Sequence, residues 1–428
     1  MNDNYLNIHV LFTTGVANMN RDDSGAPKQV TIGGATRNRH SSQAMTRPKR
    51  LMFEQSAPGE RTTWRAKTGM AELTLAKLID LASQSGKPLT TDEEKEATEL
   101  IAKEISSLVQ NKEKAEKAAR AARERSRKKA EAAASASSTQ TEANDEETPT
   151  GAEIGADAEA GGPKDTLVWL AEHEVNALAL QVLNQLRSDA SIDDFVGKNG
   201  RTQSLTIAAF GRMFAFRPDL QNEAAIQRSH AFTTHATSIE PDYFTAVDDL
   251  PTNVQGAGAG HLDLAQYSSG VNYWHCNIDR DQLWSTWIAP VDPTKTRAQL
   301  VDLITALLLA QPNGRQTTTA SKTVPDAVLA VPATAPIALH QAFEAPVKAT
   351  AKGFRQPSVD ALLAEHARTV AFTPRQFPLP AHYAGTITPT DPTDPVGVTS
   401  HVSLDDVIDV IVDWILAGRP TGNTTEAA

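Results

Sequence analysis

Between Lys28 and Arg50 the sequence holds six basic residues, Lys28, Arg37, Arg39, Arg47, Lys49 and Arg50, and no acid. Four of them are arginines, whose planar forks meet phosphate oxygens two bonds at a time. Gly33 and Gly34 interrupt the segment and let a backbone come close to a ligand. Ser41, Ser42 and Gln43 offer hydrogen bonds to sugar and phosphate, and the two serines suit the cap of a short helix aimed at an anion. Together these residues read as a grip on an RNA backbone. The competing reading is a solvated basic surface.

Other chemistry finds little support. Asp22-Asp23 lies beside the basic segment, where it either activates a ribose hydroxyl or pairs with Arg21 and builds a turn. The histidines His40, His230, His235, His261 and His275 show no HxxxH or HExxH spacing, so no metal site is expected. Neither a GxSxG elbow nor a GxxxxGK[ST] loop occurs, and no cofactor is expected. Phe244, in the stretch Phe244-Thr-Ala-Val-Asp-Asp-Leu250, is either a wedge that slides between bases or a core anchor for its loop. Met213 is likewise core or a side chain that presses on a base.

Charge narrows the partner. The formal net charge of −11 argues against nucleic acid at face value. The distribution matters more, because residues 131–160 carry eight acids and no base, leaving the basic segment electrostatically distinct. A single cysteine, Cys276, excludes an internal disulfide framework and any Cys-cluster metal site. The N-terminus lacks a signal-peptide pattern and no apolar run is long enough to span a bilayer, so a cytoplasmic protein without a membrane partner is expected.

The elements that must position the basic segment follow from periodicity. Leu6–Phe12 alternates and reads as a half-buried strand. Asn18–Gly34 is turn-rich. Ala71–Leu81 has helical spacing, and Thr91-Asp-Glu-Glu94 reads as a capping box opening a second helix. Lys112–Lys129, with nine bases and three acids, is either an RNA-binding arm or a solvated helical extension, and Ala132–Lys164 reads as a flexible linker. Thr166–Leu186 reads as a buried helix and Ser204–Phe216 as a strand. A long polar stretch, His230–Val271, precedes a strand at Val271–Ile278, and helices are expected at Pro293–Ala310, Ala338–Ala349, Val359–Val370 and Ser403–Gly418. The expected class is α+β, interrupted twice.

Several of these residues recur in one order in a known family: Asn7-Ile-His-Val-Leu11, Asn20-Arg-Asp-Asp23, Gly33-Gly34, Arg39-His-Ser-Ser-Gln43, Gly211-Arg-Met213, His230-Ala-Phe-Thr-Thr-His235, Phe244–Leu250 and Tyr267-Ser-Ser-Gly270. Phe343–Lys348 and Gly353–Pro357 extend the match. The chain resembles the CasC family, the backbone subunit of the type I-E CRISPR surveillance complex Cascade. The resemblance implies a modified RRM-like (ferredoxin-like) palm at 1–58, 200–236 and 272–428. It further implies inserted helical fingers at 59–199 and a β-hairpin thumb at 237–271. In such a scaffold, copies of the subunit assemble along the CRISPR RNA without cutting it and present it, kinked, to a target DNA strand. The large, small and guide-end cap subunits of Cascade are the other expected partners. By position, Arg21, Lys28, Ser41, Gln43, Arg47 and Arg50 match backbone-contacting residues, and Met213, Phe244 and Thr245 match the wedge at each kink. An enzyme alternative is an endoribonuclease of the same fold group, using Asp22 or Asp23. Thr46 replaces a lysine of the family, and Pro48 is expected to kink or stop a helix begun at Ser42.

Overall fold

The computed structural model describes residues 3–420, except 67, 110–166, 189, 198, 215, 247–260 and 391–396. The readings of Lys112–Lys129 and Ala132–Lys164 lie outside the described residues, as does the middle of His230–Val271. The chain divides into two compact units, one of residues 1–61, 201–211 and 223–428, the other of 62–200 and 212–222.

In the first unit, Leu6–Phe12 grows into strand β1, Tyr5–Ala17, which is buried continuously from Leu6 to Phe12. The half-buried expectation is therefore wrong: Asn7 and His9, the polar members of the alternation, face a second protein layer instead of water. Asn7 donates to the Ala335 carbonyl and accepts from the Ile337 amide, and His9 Nδ1 meets the Tyr273 hydroxyl at 2.9 Å. That layer is built by Leu339, Phe343 and the helix Arg355–Phe372, whose Val359, Leu362 and Leu363 pack on Leu11, Tyr273, Leu329 and Val331. Each such buried side chain stabilises the fold by about 1.5–3 kcal/mol relative to leaving it exposed.

β1 lies between β9, His261–Asp279, and β10, Pro325–Ala333, antiparallel to both. On the far side of β9 run the short strands β6, Ile226–Arg228, and β7, Ala231–Thr233, also antiparallel. The hairpin of β2, Gln29–Ile32, and β3, Ala35–His40, continues the sheet from β7. At the opposite edge stand β11, Ala381–Gly385, and β12, Val398–Ser400. Helix α1, Ser42–Gln55, connects β3 toward β7 by way of the second unit, and a helix at Pro293–Leu309 connects β9 to β10. The central order β10-β1-β9-β7 is thus the fourth, first, third and second strand of a β-α-β-β-α-β path.

Sequence signals and outcomes part company where tertiary contacts decide. Ser204–Phe216 holds a short helix, Leu205–Phe210, capped by Ser204, and no strand among its described residues. Ala338–Ala349 forms only a 3-10 turn at His340–Phe343. The capping box sits one residue earlier than expected: Thr90 Oγ1 accepts from the Glu93 amide while Glu93 accepts from the Thr90 amide, opening Thr91–Val109. Ser403–Gly418 matches its expectation, with Ser403 and Asp406 in a reciprocal box.

The second unit pairs β4, Thr63–Ala66, with β5, Val168–Ala171, beside helices Met70–Gln84, Thr91–Val109 and Glu172–Ser188. The run Thr166–Leu186 is therefore a strand followed by a helix. Arg212–Asn222, inside the 200–236 that the resemblance gives to the palm, is grouped by its contacts with the second unit. There Arg212 forms an ion pair with Glu174 at 2.6 Å, both side chains almost wholly buried. Glu174 also accepts from the Ala171 amide and Arg212 donates to the Trp169 carbonyl, which satisfies two further polar groups in that interior.

Candidate nucleic-acid interface

Helix α1 carries the candidate site. Ser41 is its N-cap and accepts from the Ala44 amide at 3.2 Å. No acid occupies the first turn, so the positive end of the helix dipole is not neutralised from within. The cap is fixed from the preceding loop, since the Ser41 amide donates to the Asn20 side chain and the Lys28 amide to the Asn20 carbonyl. Pro48 neither kinks α1 to a stop nor ends it, because the helix continues to Gln55 with Met45 and Phe53 buried on its inner face.

The basic residues separate into two groups. Arg21, Gln43 and Arg47 are exposed, and Lys28, Arg39, Ser41 and Ser42 are half-exposed. Ser42, Gln43 and Arg47 lie on the first two turns of α1, and Asn20 ties the Ser41 cap to the loop that carries Arg21 and Lys28. Arg39 Nη1 reaches His230 Nδ1 at 3.1 Å, and the Ser42 amide points to the same nitrogen at 3.3 Å. A nitrogen that faces two donors must be the unprotonated one. Burial, Arg39 and Lys28 all lower the His230 pKa, in keeping with that assignment. His230 thus joins the site although spacing alone gave it no role.

Three residues of the basic segment turn inward, a correction to their reading as RNA contacts. Arg37 is fully buried and donates to the carbonyls of Thr233 at 2.9 Å, Phe343 at 3.0 Å and Glu344 at 3.4 Å. Arg50 is nearly buried and its Nη1 donates to both carboxylate oxygens of Glu54, at 2.9 and 3.0 Å. Lys49 is buried, donates to the carbonyls of Leu307 and Ala310, and lies 4.2 Å over the Trp274 ring. It ties α1 to the end of helix Pro293–Leu309, and burial pushes its pKa down to about 7. Gly33 is needed for an internal reason: at φ +56° a Cβ would stand 1.8 Å from the Glu344 carbonyl oxygen. Gly34, at φ +73°, faces open space.

A family model for Cas_CT1975, described as CT1975-like protein, matches residues 6–409. The chain belongs to the CT1975-like family. No curated protein matches it. Among solved structures, a chain of a "CRISPR RNA-guided surveillance complex, pre-nicking" is similar at a TM-score of 0.67 and 24% identity, covering 96% of this chain and 100% of that one. A second, from a "CRISPR RNA-guided surveillance complex", reaches 0.54 at 21% identity, covering 96% and 99%. At these identities the likeness is one of fold.

The remaining residues that carry the resemblance fall on other elements. β8, Glu240–Ala246, pairs with β9 from Glu240 opposite Tyr267 to Ala246 opposite His261, making a hairpin that extends from the sheet. Phe244 is 41% exposed on it, Thr245 is exposed, and Tyr243 is 70% exposed, an aromatic that sequence reasoning passed over. Met213 is 77% exposed, which removes the core reading for that side chain. Asp22 builds a turn: its carboxylate accepts from the Ser24 amide and hydroxyl and from the Ala26 amide. Those bonds, Ser24 first, lower its pKa, which makes it a weaker base. Met19, Asn20, Arg21, Asp22, Asp23, Gly25 and Gly314 line an open cavity of about 490 Å³ beside this turn. Among the described residues, no group of three His, Cys, Asp or Glu side chains could hold a metal, and no helix is long and apolar enough to cross a membrane.

Proposed function

We propose that the chain is the CRISPR RNA-binding backbone subunit of a type I-E surveillance complex. It holds the guide without cutting it and assembles with copies of itself along the spacer. The observation that carries this reading is the set of surface cations, Arg21 and Arg47 exposed and Lys28 and Arg39 half-exposed, near the acid-free N-terminus of α1. That arrangement suits a row of phosphates and offers no base-reading specificity, as a protein that accepts any guide requires. The first unit serves as an RRM-like palm, the second as fingers and the β8–β9 hairpin as a thumb. Phe244 and Thr245 act as wedges at the kinks of the guide, which then pairs with a target DNA strand, and Met213 of the second unit is, by itself, a further wedge residue. The other Cascade subunits cap and line the assembly.

The test is a pair of variants in the intact complex. Asp22→Ala with Asp23→Ala leaves guide retention and DNA engagement as in the wild type, whereas loss of an RNA-cleaving activity in that variant contradicts the scaffold reading. Arg39→Gln with Arg47→Gln weakens guide retention, and unchanged retention contradicts it equally.

A further inference from the structure

The stretch that leads into the hairpin is held from four sides. Arg37 of β3 binds the Thr233 carbonyl, and the Asn38 amide donates to the Thr233 hydroxyl. The Thr237 amide donates to the Thr36 carbonyl, and the Val347 amide to that of Thr234. The Thr234 hydroxyl meets Ser358 at 2.8 Å. The fourth side is β9, where the Thr234 amide donates to the Val271 carbonyl. Here β9 passes from its hairpin arm into the central sheet, and its register against β1 shifts between Thr14, opposite Gly270, and Ala17, opposite Ser268.

His235 closes this junction. Its ring is 5% exposed and stacks on Phe354 with centroids 3.7 Å apart and planes 10° from parallel. Nδ1 lies 2.9 Å from the Ala236 carbonyl, so Nδ1 carries the hydrogen. Nε2 lies 3.2 Å from the Val271 amide and therefore must accept. Gly270 leaves the room for this contact, since a Cβ there would stand 2.7 Å from Nε2. A protonated ring would lose the acceptor and set an N–H against an N–H. The charged neighbour on β3 is Arg37, which disfavours a second positive charge. Glu344 acts on Arg37, while Arg355, next to Phe354, is bound to Asp326 at 2.6 Å.

We infer that His235 is a positioning residue that latches the β8–β9 hairpin to the sheet, and that it latches only as the neutral imidazole. Acidification releases the root of the hairpin while the α1 N-terminus stays formed. For the proposed scaffold this makes closure of the hairpin over RNA proton-dependent; that consequence rests on the reading above, whereas the latch itself does not.

The experiment places a fluorophore on the hairpin of the full chain through Asp242→Cys, the native Cys276 being buried, and follows its anisotropy against pH without RNA. Circular dichroism records global unfolding in parallel. A drop in anisotropy is expected below about pH 6.5, the ordinary histidine value, and above the global transition. His235→Gln, which keeps an acceptor that cannot be protonated, abolishes the drop, and a control just after β12, His401→Gln, whose ring meets His382 instead, retains it. Phe354→Leu opens the ring to water and moves the midpoint upward, which decides the matter should His235→Gln fail to fold. A drop that coincides with global unfolding, persists in His235→Gln, or keeps its midpoint in Phe354→Leu overturns the latch. Guide retention in the intact complex is measured separately. A hairpin transition with no acid-sensitive retention leaves the latch standing and counts against the RNA reading alone.

Discussion

Arg37 and the pair Arg39 and Arg47 occur within one basic run, yet the first is buried and the other two reach the surface, and substitution should separate them. Arg39→Gln with Arg47→Gln removes two cations from the α1 surface. On single-stranded RNA each lost phosphate contact lowers the slope of log affinity against log salt by about 0.7, so the pair lowers it by about 1.4 per protomer. Over a fourfold rise in salt the wild type then loses about sevenfold more affinity than the variant. The assay is guide retention on complexes of several unrelated guide sequences across a salt series. Arg37→Gln takes a buried donor from three carbonyls, which costs about 2–4 kcal/mol of stability and leaves the salt slope alone. A slope unchanged by the double variant, a slope lowered by Arg37→Gln, or losses that follow guide sequence would each refute the division.

Phe244→Ala should impair target-DNA engagement more than guide retention; equal losses in a paired binding measurement would remove its role as a wedge. Gly33→Ala should prevent normal folding or expression, because the Glu344 carbonyl occupies the Cβ position, and a thermal melt like the wild type's would show that the β2–β3 turn can move. Lys49 has a folded pKa of about 7 against an ordinary 10.5, so above pH 7 the unfolded chain binds the extra proton and stability rises with pH. Denaturant titrations from pH 7 to 8.5 should show a gain of about 2 kcal/mol, absent in Lys49→Met; a flat profile in the wild type would mean that Lys49 stays charged. Deleting residues 132–164 should leave assembly intact, which size analysis of the purified complex checks.

Sequence made a helix boundary legible where the cap is local, as at Ser403, whose side chain binds the amide three residues on, while the cap of Pro293–Leu309 by Asp292 emerges only from the structure. It misplaced β1's polar face because nothing near Asn7 or His9 announces that residues more than 300 positions later will cover them. The basic segment was legible as a class of surface but not residue by residue. Arg37 and Arg39 differ by one strand position from neutral neighbours on either side, and only the long-range partners, Phe343 and Glu344 for one and His230 for the other, decide which turns inward. Arg50 similarly finds Glu54 one turn along the same helix, a spacing that was visible in the sequence and is a better guide to its role than its charge.

The most direct test of the central claim is to purify the native assembly and compare its nucleic-acid and protein absorbance bands before and after ribonuclease. A strong nucleic-acid band is expected, which sensitivity to ribonuclease and sequencing identify as CRISPR RNA of many different guide sequences. An assembly that forms with the protein band alone would contradict it.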